Sequence, residues 1–353
     1  MISAEISHDW GSFALDDAFE APAGITALFG QSGAGKSSVA LAVAGLFKPD
    51  QATIRLGGRV LQDKSSFLPP HRRRIGVVFQ DARLFPHFTV RENLGYARRF
   101  GSAGEGGPSI GEVADLLGIG RLLERGTGAL SGGEKARVAV GRALLSDPAA
   151  LILDEPFAAL DAPRRAEILP HLETLRDRFG LPMLLISHSL AEVAQLATAL
   201  VVLDGGRVIA SGPAVDLLSD PALVPIFGAH EAGSLIVGRV GARAADGLTR
   251  VETAGGPVFL TGQLPAEGSR IRLRIRAQDV MLALAPLEGV SALNLLAARV
   301  ESLSPEGDAG MVVVLRLGEE RMLARITRRS AKALELAPGH EVQAILKTVA
   351  LAG

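Results

Sequence analysis

Residues Gly30-Gln31-Ser32-Gly33-Ala34-Gly35-Lys36-Ser37 spell the pattern G-x-x-x-x-G-K-[ST] between two apolar runs, Ile25 to Phe29 before it and Ser38 to Phe47 after it. The first run is strand-like and the second helix-like, so the pattern lies across a strand–turn–helix. Glycines let such a turn curl until successive main-chain N–H groups point inward at a phosphate. The helix that begins there adds its positive end, and Lys36 reaches the outer phosphates of a nucleotide. The Ser37 hydroxyl is placed for Mg²⁺, with Ser38 next to it. These residues predict a nucleotide phosphate site.

At 353 residues the chain is long enough for two domains, each with its own core. Its composition, 48% hydrophobic and 21% charged, is that of a folded globular protein. The net charge of −1 gives no general attraction to nucleic acid or anionic lipid. Without cysteine there are no disulfides, thiolate metal sites or cysteine nucleophiles. The N-terminus lacks a basic stretch followed by an apolar core, so no secretory leader is expected. The most apolar stretch, Leu190 to Leu203, is interrupted by Glu192 and Gln195, and the chain is not expected to span a membrane.

Residues 1 to 29 read as short strands with turns at Asp16-Asp17 and at Pro22-Ala23-Gly24. Trp10 and Phe13 precede the phosphate loop, where either can stack on an adenine or simply cover a sheet. Gly57-Gly58 sits between two β-like runs as a hairpin turn. Arg72-Arg73-Arg74 reads as a solvated basic face without a role. Ile75 to Phe79 predicts a buried strand ending on Gln80. Helical spacing follows over Val90 to Phe100 and Ile110 to Leu123, with a loop at Gly101 to Pro108. A further helix opens at Leu130-Ser131-Gly132-Gly133-Glu134, and Ala149 to Leu153 is an apolar strand ending in Asp154-Glu155. A helix from about Pro163 to Phe179, a strand Met183 to Ile186 and then His188 continue the alternation. Such alternation predicts an α/β fold with a parallel sheet covered by helices on both faces. From about Ser234 the pattern changes to short β-like runs separated by Gly, Pro, Asp and Glu, as in a small β-barrel. The join is expected near Phe227 to Gly233.

Four further sites add chemistry. Asp154 ends a strand, where an acidic residue holds Mg²⁺ through water, and the Glu155 carboxylate is placed to orient or deprotonate an attacking water. Ser131-Gly132-Gly133 opens a helix, which makes a second anion-binding N-terminus in the same chain. Gln80 and His188 each follow a strand. Any one of these, taken alone, reads equally as a turn, a cap or a surface group.

Together and in this order they resemble the ATP-binding subunit of ABC transporters, over about residues 1 to 230. Gly30 to Ser37 resembles the Walker A loop, Gln80 the Q-loop glutamine and Leu130 to Glu134 the family signature. Leu151 to Glu155 resembles Walker B with its catalytic glutamate, Ala159-Leu160-Asp161 the D-loop, and His188 the switch histidine. The resemblance implies a P-loop ATPase with a mostly parallel sheet, an antiparallel β subdomain and a helical subdomain at about 84–145. It also implies a head-to-tail homodimer, with ATP held between Walker A of one chain and Ser131, Gly132, Gly133 and Glu134 of the other. Glu155 is then the general base, His188 positions water and γ-phosphate, and Ser37, Gln80 and Asp154 serve Mg²⁺. The aromatics of Leu84 to Phe100 would receive a helix of a transmembrane permease, placing the chain peripherally on the cytoplasmic side of the membrane. Nucleic acid is not an expected partner.

Residues 231–353 are expected as an OB-like all-β domain. Phe79 to His87, Ile275 to Val280 and Ser291 to Leu295 resemble the molybdate importer ATPases, and about 291–351 resembles a Mop-type oxyanion-binding domain. The matching positions for an oxyanion are Ser291, Ala292, Asn294 and Lys347. The resemblance implies ATP-driven import of molybdate or tungstate; the tail either only braces the dimer and binds nothing, or binds the cargo anion and so feeds cytoplasmic oxyanion back on the ATPase. Two other readings stand beside it: an importer ATPase for sulfate, sugar or polyamine, and an ABC-type ATPase without a permease.

Overall fold

The computed structural model describes residues 1–100, 107–158, 160–228, 230–287, 289–346 and 350–351. The chain forms two compact units, Met1–Ser189 with Leu196–Gly212, and Leu190–Gln195 with Pro213–Gly353.

Among the described residues the first unit is built on ten strands: β1 (Ile2–Asp9), β2 (Ala14–Ala21), β3 (Gly24–Phe29), β4 (Gln51–Leu56), β5 (Arg59–Gln62), β6 (Ile75–Val78), β7 (Ala150–Asp154), β8 (Pro182–Ile186), β9 (Ala199–Asp204) and β10 (Arg207–Pro213). Their order in the sheet is β5-β4-β1-β2-β10-β9-β3-β8-β7-β6. Strands β9, β3, β8, β7 and β6 run parallel, whereas β1 pairs antiparallel with β2 and β4. The helices are α1 (Lys36–Ala44), α2 (Pro70–Arg73), α3 (Val90–Phe100), α4 (Ile110–Leu116), α5 (Gly132–Leu144) and α6 (Ala162–Phe179).

Strand β7 explains why the central strands are apolar throughout. Its Leu151 and Leu153 enter the core shared with α3 to α6, while Ala150 and Ile152 enter the core shared with α1 and the antiparallel strands. A strand covered on both faces needs apolar residues at every position. Strand β2 instead alternates exposed and buried residues along its whole length, and Asp16 and Asp17 lie inside it rather than at a turn. Asp16-Asp17 has turn composition, but pairing Ile6 with Asp17 and Asp16 with Arg207 holds both residues in the sheet. The turn falls instead at residues 10–13, where Trp10 N donates to Phe13 O. The helix expected to reach Leu123 stops at Leu116, because Gly118 takes φ +60° and turns the chain into the 3₁₀ segment Gly120–Leu122. Of the loop expected at Gly101 to Pro108, residues 101–106 lie outside the described residues.

Asp17 is 4% exposed, and among the described residues neither carboxylate oxygen has a hydrogen-bond partner of normal geometry. Burial pushes its pKa up to about 7; the Val208 main chain opposes this in part and Asp16 adds to it. The folded state therefore holds this proton more tightly than the unfolded chain, so stability is full below about pH 4 and falls as pH rises towards 7. Asp17→Asn is expected to remove that slope and to raise stability at pH 8 by on the order of 2 to 4 kcal/mol. Urea unfolding of both proteins at pH 5 and pH 8 checks it; equal midpoint differences at the two pH values would contradict it.

Among the described residues the second unit has ten strands in two antiparallel sheets. One holds β11 (Gly233–Arg243), β12 (Thr249–Thr253), β13 (Gly256–Leu260), β14 (Arg270–Arg276) and β20 (Ala350–Leu351), in the order β13-β12-β11-β14-β20. The other holds β15 (Val280–Ala283), β16 (Asn294–Glu306), β17 (Gly310–Leu317), β18 (Glu320–Thr327) and β19 (Glu341–Leu346), in the order β15-β19-β16-β17-β18. Val251, Ile271 and Leu273 from the first sheet share one core with Leu296, Val313 and Met322 from the second. Strand β12 shows no apolar run in sequence because Val251 is its one apolar residue, facing inward beside the buried Thr249; its neighbours β11 and β13 make it a strand. Strand β16 extends well beyond the apolar Ala297 to Val300, with a register shift between Val300 and Ser302 where it bends. Among the described residues no helix is long and apolar enough to cross a membrane.

Candidate nucleotide site

The parallel register explains how distant residues meet. Val78 of β6 lies beside Leu153 of β7, Asp154 beside Ile186 of β8, and Leu28 of β3 also beside Ile186. The segments leaving these strands therefore emerge at one carboxyl edge: the phosphate loop after β3, Gln80 after β6, Asp154-Glu155 at the end of β7 and His188 after β8. Ligands of open α/β sheets bind at such an edge.

A cleft of about 610 Å³ opens there, lined by Trp10, Ser12, Phe13, the loop residues Ser32, Gly33 and Gly35 to Ser38, and Glu155. Gly30, Gly33 and Gly35 have φ of +159°, +85° and +100°. At Gly35 a Cβ would also meet Leu15 at 2.8 Å, so the turn before α1 requires glycine on two counts. Lys36 is 7% exposed and its Nζ donates to Gly30 O and Gln31 O, both at 2.8 Å, closing the loop on itself. Burial lowers its pKa, while Glu155 and Asp154 pull it back up.

Ser37 Oγ donates to Asp154 Oδ1 at 3.2 Å. Burial raises the pKa of Asp154 and Glu155 adds repulsion, whereas Ser37, Lys36 and Arg83 oppose the rise. A hydroxyl beside a carboxylate at a helix start suits a hard cation such as Mg²⁺. Among the described residues no group of three acidic or histidine ligands stands ready for a metal, so an ion here needs oxygens from the nucleotide as well.

Glu155 takes φ +44°, an uncommon conformation for a residue with a Cβ, held by its N–H donating to Ile186 O at 3.1 Å. Its Oε1 lies 3.5 Å from His188 Nδ1. Gln80 is exposed in the turn after β6. Trp10 stacks on Phe47 with ring centres 5.4 Å apart, lies 5.8 Å from Phe13, and receives the edge of His8. Both predicted aromatics thus border the cleft, and Phe47 joins them from beyond α1.

Ser131, Gly132, Gly133 and Glu134 are not among the residues lining the cleft. They open α5 with a reciprocal cap: Glu134 N donates to Ser131 Oγ at 3.3 Å, and Ser131 N to Glu134 Oε2 at 2.8 Å. Asp161 caps α6 by accepting from Arg164 N at 3.1 Å; Ala159 lies outside the described residues. The aromatics expected to meet a partner form one cluster, with Phe85 4.3 Å from Tyr96 and 5.5 Å from Phe88, and His87 4.3 Å from Phe88.

In the second unit Ser291 is exposed and Ala292 half-buried. Asn294 is 4% exposed, with Oδ1 accepting from Phe259 N at 2.7 Å and Nδ2 donating to Phe259 O at 3.3 Å. Both ends of that amide serve to join β16 to β13. Lys347 lies outside the described residues.

The basic run contains a residue whose place the sequence misjudges. Arg72 and Arg74 are exposed, but Arg73 is fully buried; its guanidinium donates to Leu68 O, Ala42 O, Val43 O and Gln62 Oε1. The fork closes the carboxyl end of α1, a role that no local pattern signals.

This α/β layer with its phosphate loop and carboxylate pair, followed by a separate β-rich unit, defines a P-loop ATPase with a β tail. The profile of the ABC transporter family matches residues 19–158, and that of the TOBE domain matches residues 290–352. The chain is 48% identical over 346 residues to the molybdenum import ATP-binding protein ModC of Rhizobium etli, covering 97% of each chain. It is 44% identical over 356 residues to the protein of the same name from Paramagnetospirillum magneticum, covering 100% of this chain and 98% of that one. A nucleotide-free ATP-binding cassette from an ABC transporter superposes with a TM-score of 0.55 at 25% identity, over 65% of this chain and 98% of that one. The chain belongs to the ABC transporter family, among the ATP-binding proteins that carry a TOBE domain.

Proposed function

We propose that the chain is the ATP-hydrolysing subunit of a molybdate importer, working as a homodimer under a separate transmembrane permease at the cytoplasmic face of the membrane. The carrying observation is the single sheet edge on which the phosphate loop, Asp154, Glu155 and His188 converge, while the Ser131 helix start lies outside that cleft. A second copy placed head to tail would supply that helix start to the nucleotide, so that ATP joins two subunits. The molybdate assignment rests on the names of relatives that match nearly the whole chain.

In this reading the loop amides and Lys36 hold the β- and γ-phosphates, and Trp10 or Phe13 stacks on the base. Ser37 and Asp154, with Gln80, would hold Mg²⁺, which when bound neutralises charge on the phosphates. Glu155 takes the proton of the attacking water, and His188, 3.5 Å from it, orients that water and the γ-phosphate. Asp161 stands in the loop that faces the partner. The Phe85–Tyr96 cluster receives the permease.

Co-purified with its permease in vesicles, the protein is expected to couple ATP hydrolysis to molybdate uptake. Hydrolysis with uptake of sulfate, sugar or polyamine instead would redirect the cargo, and hydrolysis that never responds to a permease would favour an ATPase without one. Feedback by internal oxyanion is expected to pass through Ser291, Ala292 and Lys347, with Asn294 holding the site's strand in place. Lys347→Ala should abolish inhibition by added molybdate and leave basal hydrolysis unchanged; unchanged inhibition would remove Lys347 from the site.

A further inference from the structure

The turn that carries Gln80 into the helical subdomain is strained in a defined way. Ala82 N donates to Phe79 O at 2.9 Å, and Arg83 N donates back to Asp81 O at 2.6 Å. Ala82 and Arg83 follow one another with φ of +57° and +45°, although neither is glycine. A three-residue turn of this hand is rare, and two consecutive left-handed residues with a Cβ persist only when their surroundings enforce them.

What enforces them is Arg142, in the last turn of α5. Its two terminal nitrogens donate to Arg83 O at 2.9 Å and Ala82 O at 3.1 Å. The guanidinium also sits 5.3 Å from the centre of the Phe85 ring. Phe85 is fixed in turn by Asn93, whose amide accepts from Phe85 N at 2.9 Å and donates to Phe85 O at 3.2 Å. The far side of the turn reaches the nucleotide site: Arg83 stacks on Phe79 at 3.9 Å, and its charge is felt at Asp154.

We infer that Arg142 is a positioning residue: it holds the Ala82–Arg83 turn in its left-handed form, and through it sets Gln80 and Arg83 against the metal-binding edge, so that the helix opened by Ser131 controls the Gln80 loop from its other end. The inference rests on the ATPase reading above. A planar fork is needed because two adjacent carbonyls are gripped at once. Loss of the grip lets the turn relax to right-handed or extended backbone, which displaces Gln80 without touching the phosphate loop. Nucleotide binding should therefore survive while turnover falls.

The test measures ATP turnover of the full chain with its permease, and ATP affinity from the fluorescence of Trp10, the chain's single tryptophan, which borders the cleft. Arg142→Met should lower kcat by about tenfold or more with KM and affinity changed less than about threefold. Arg142→Lys, which keeps the half-buried charge and the helix packing, should fall between and reads the lost fork even if the methionine variant fails to fold. Adding Ala82→Gly to either variant should restore part of kcat, because glycine adopts the left-handed form without strain. Wild-type turnover in both variants would overturn the inference. So would a loss that glycine does not relieve, or one in which affinity falls with kcat, since these mark Arg142 as a packing residue of α5. Hydrolysis by the unaltered chain in the same assay tests the ATPase reading separately.

Discussion

Glu155→Gln is expected to bind ATP as well as the unaltered chain and to lose turnover by about a hundredfold or more. The substitution keeps size, and the main chain that holds position 155 at φ +44°, the N–H donated to Ile186 O, does not involve the side chain. What changes is proton affinity: a carboxylate accepts the proton of the attacking water, and an amide does not. Binding is spared for an electrostatic reason. Burial already works against ionisation of Asp154, and Glu155 adds like-charge repulsion. Removing that repulsion favours the ionised Asp154 that a cation needs. Trp10 fluorescence on titration with ATP, beside steady-state phosphate release, checks both halves. Turnover within tenfold of the unaltered protein would overturn Glu155 as the base, and weakened binding would mean that it also holds the nucleotide.

Arg73→Ala should destabilise the protein by on the order of 3 to 5 kcal/mol. The truncation empties the space of a fully buried arginine and strands the carbonyls of Ala42, Val43 and Leu68 together with Gln62 Oε1. Among the described residues no carboxylate neutralises this guanidinium, and burial lowers its pKa to about 10, which still leaves it protonated at neutral pH. Its countercharge is the negative end of α1, the helix that follows the glycine-rich loop. Gly45 is fitted to it: at φ +77°, a Cβ there would lie 2.4 Å from Arg73 Nε, so Gly45→Ala should fail in the same direction. Urea unfolding gives the size of the effect, and a loss under about 1 kcal/mol would show that solvent or a neighbour satisfies the stranded carbonyls. Excess ATP should recover part of the loss, because ligand binding stabilises only the folded form.

The legible parts of this chain are those where one local pattern has one physical solution. The strand, glycine turn and helix around Lys36 could be read directly, since each glycine answers a local backbone demand. Ser131 and Glu134 announce their helix start by a spacing of three residues, and Asp154 closes a run apolar enough to need burial on both faces. Patterns that depend on a distant partner were not legible. Asp16-Asp17 looks like a turn in isolation and becomes strand only because Ile6 and Arg207 lie across from it. Thr249–Thr253 carries one apolar residue, Val251, and is a strand by virtue of its two neighbours.

By itself the sequence determined the groups available to this protein: a glycine-rich loop with its lysine, a carboxylate pair, a second capped helix start and a β-rich tail. Local backbone geometry and residue type suffice for those features. The tertiary structure decided which groups act together and what holds them there. Parallel register brought Lys36, Asp154, Glu155 and His188 to one edge, and folding sent Arg73 into the interior while its neighbours stayed in solvent. It also bent the Gln80 turn under Arg142, 59 residues from Arg83 in the chain. Contacts of that kind join segments far apart in sequence, so they come into being only when the chain closes on itself.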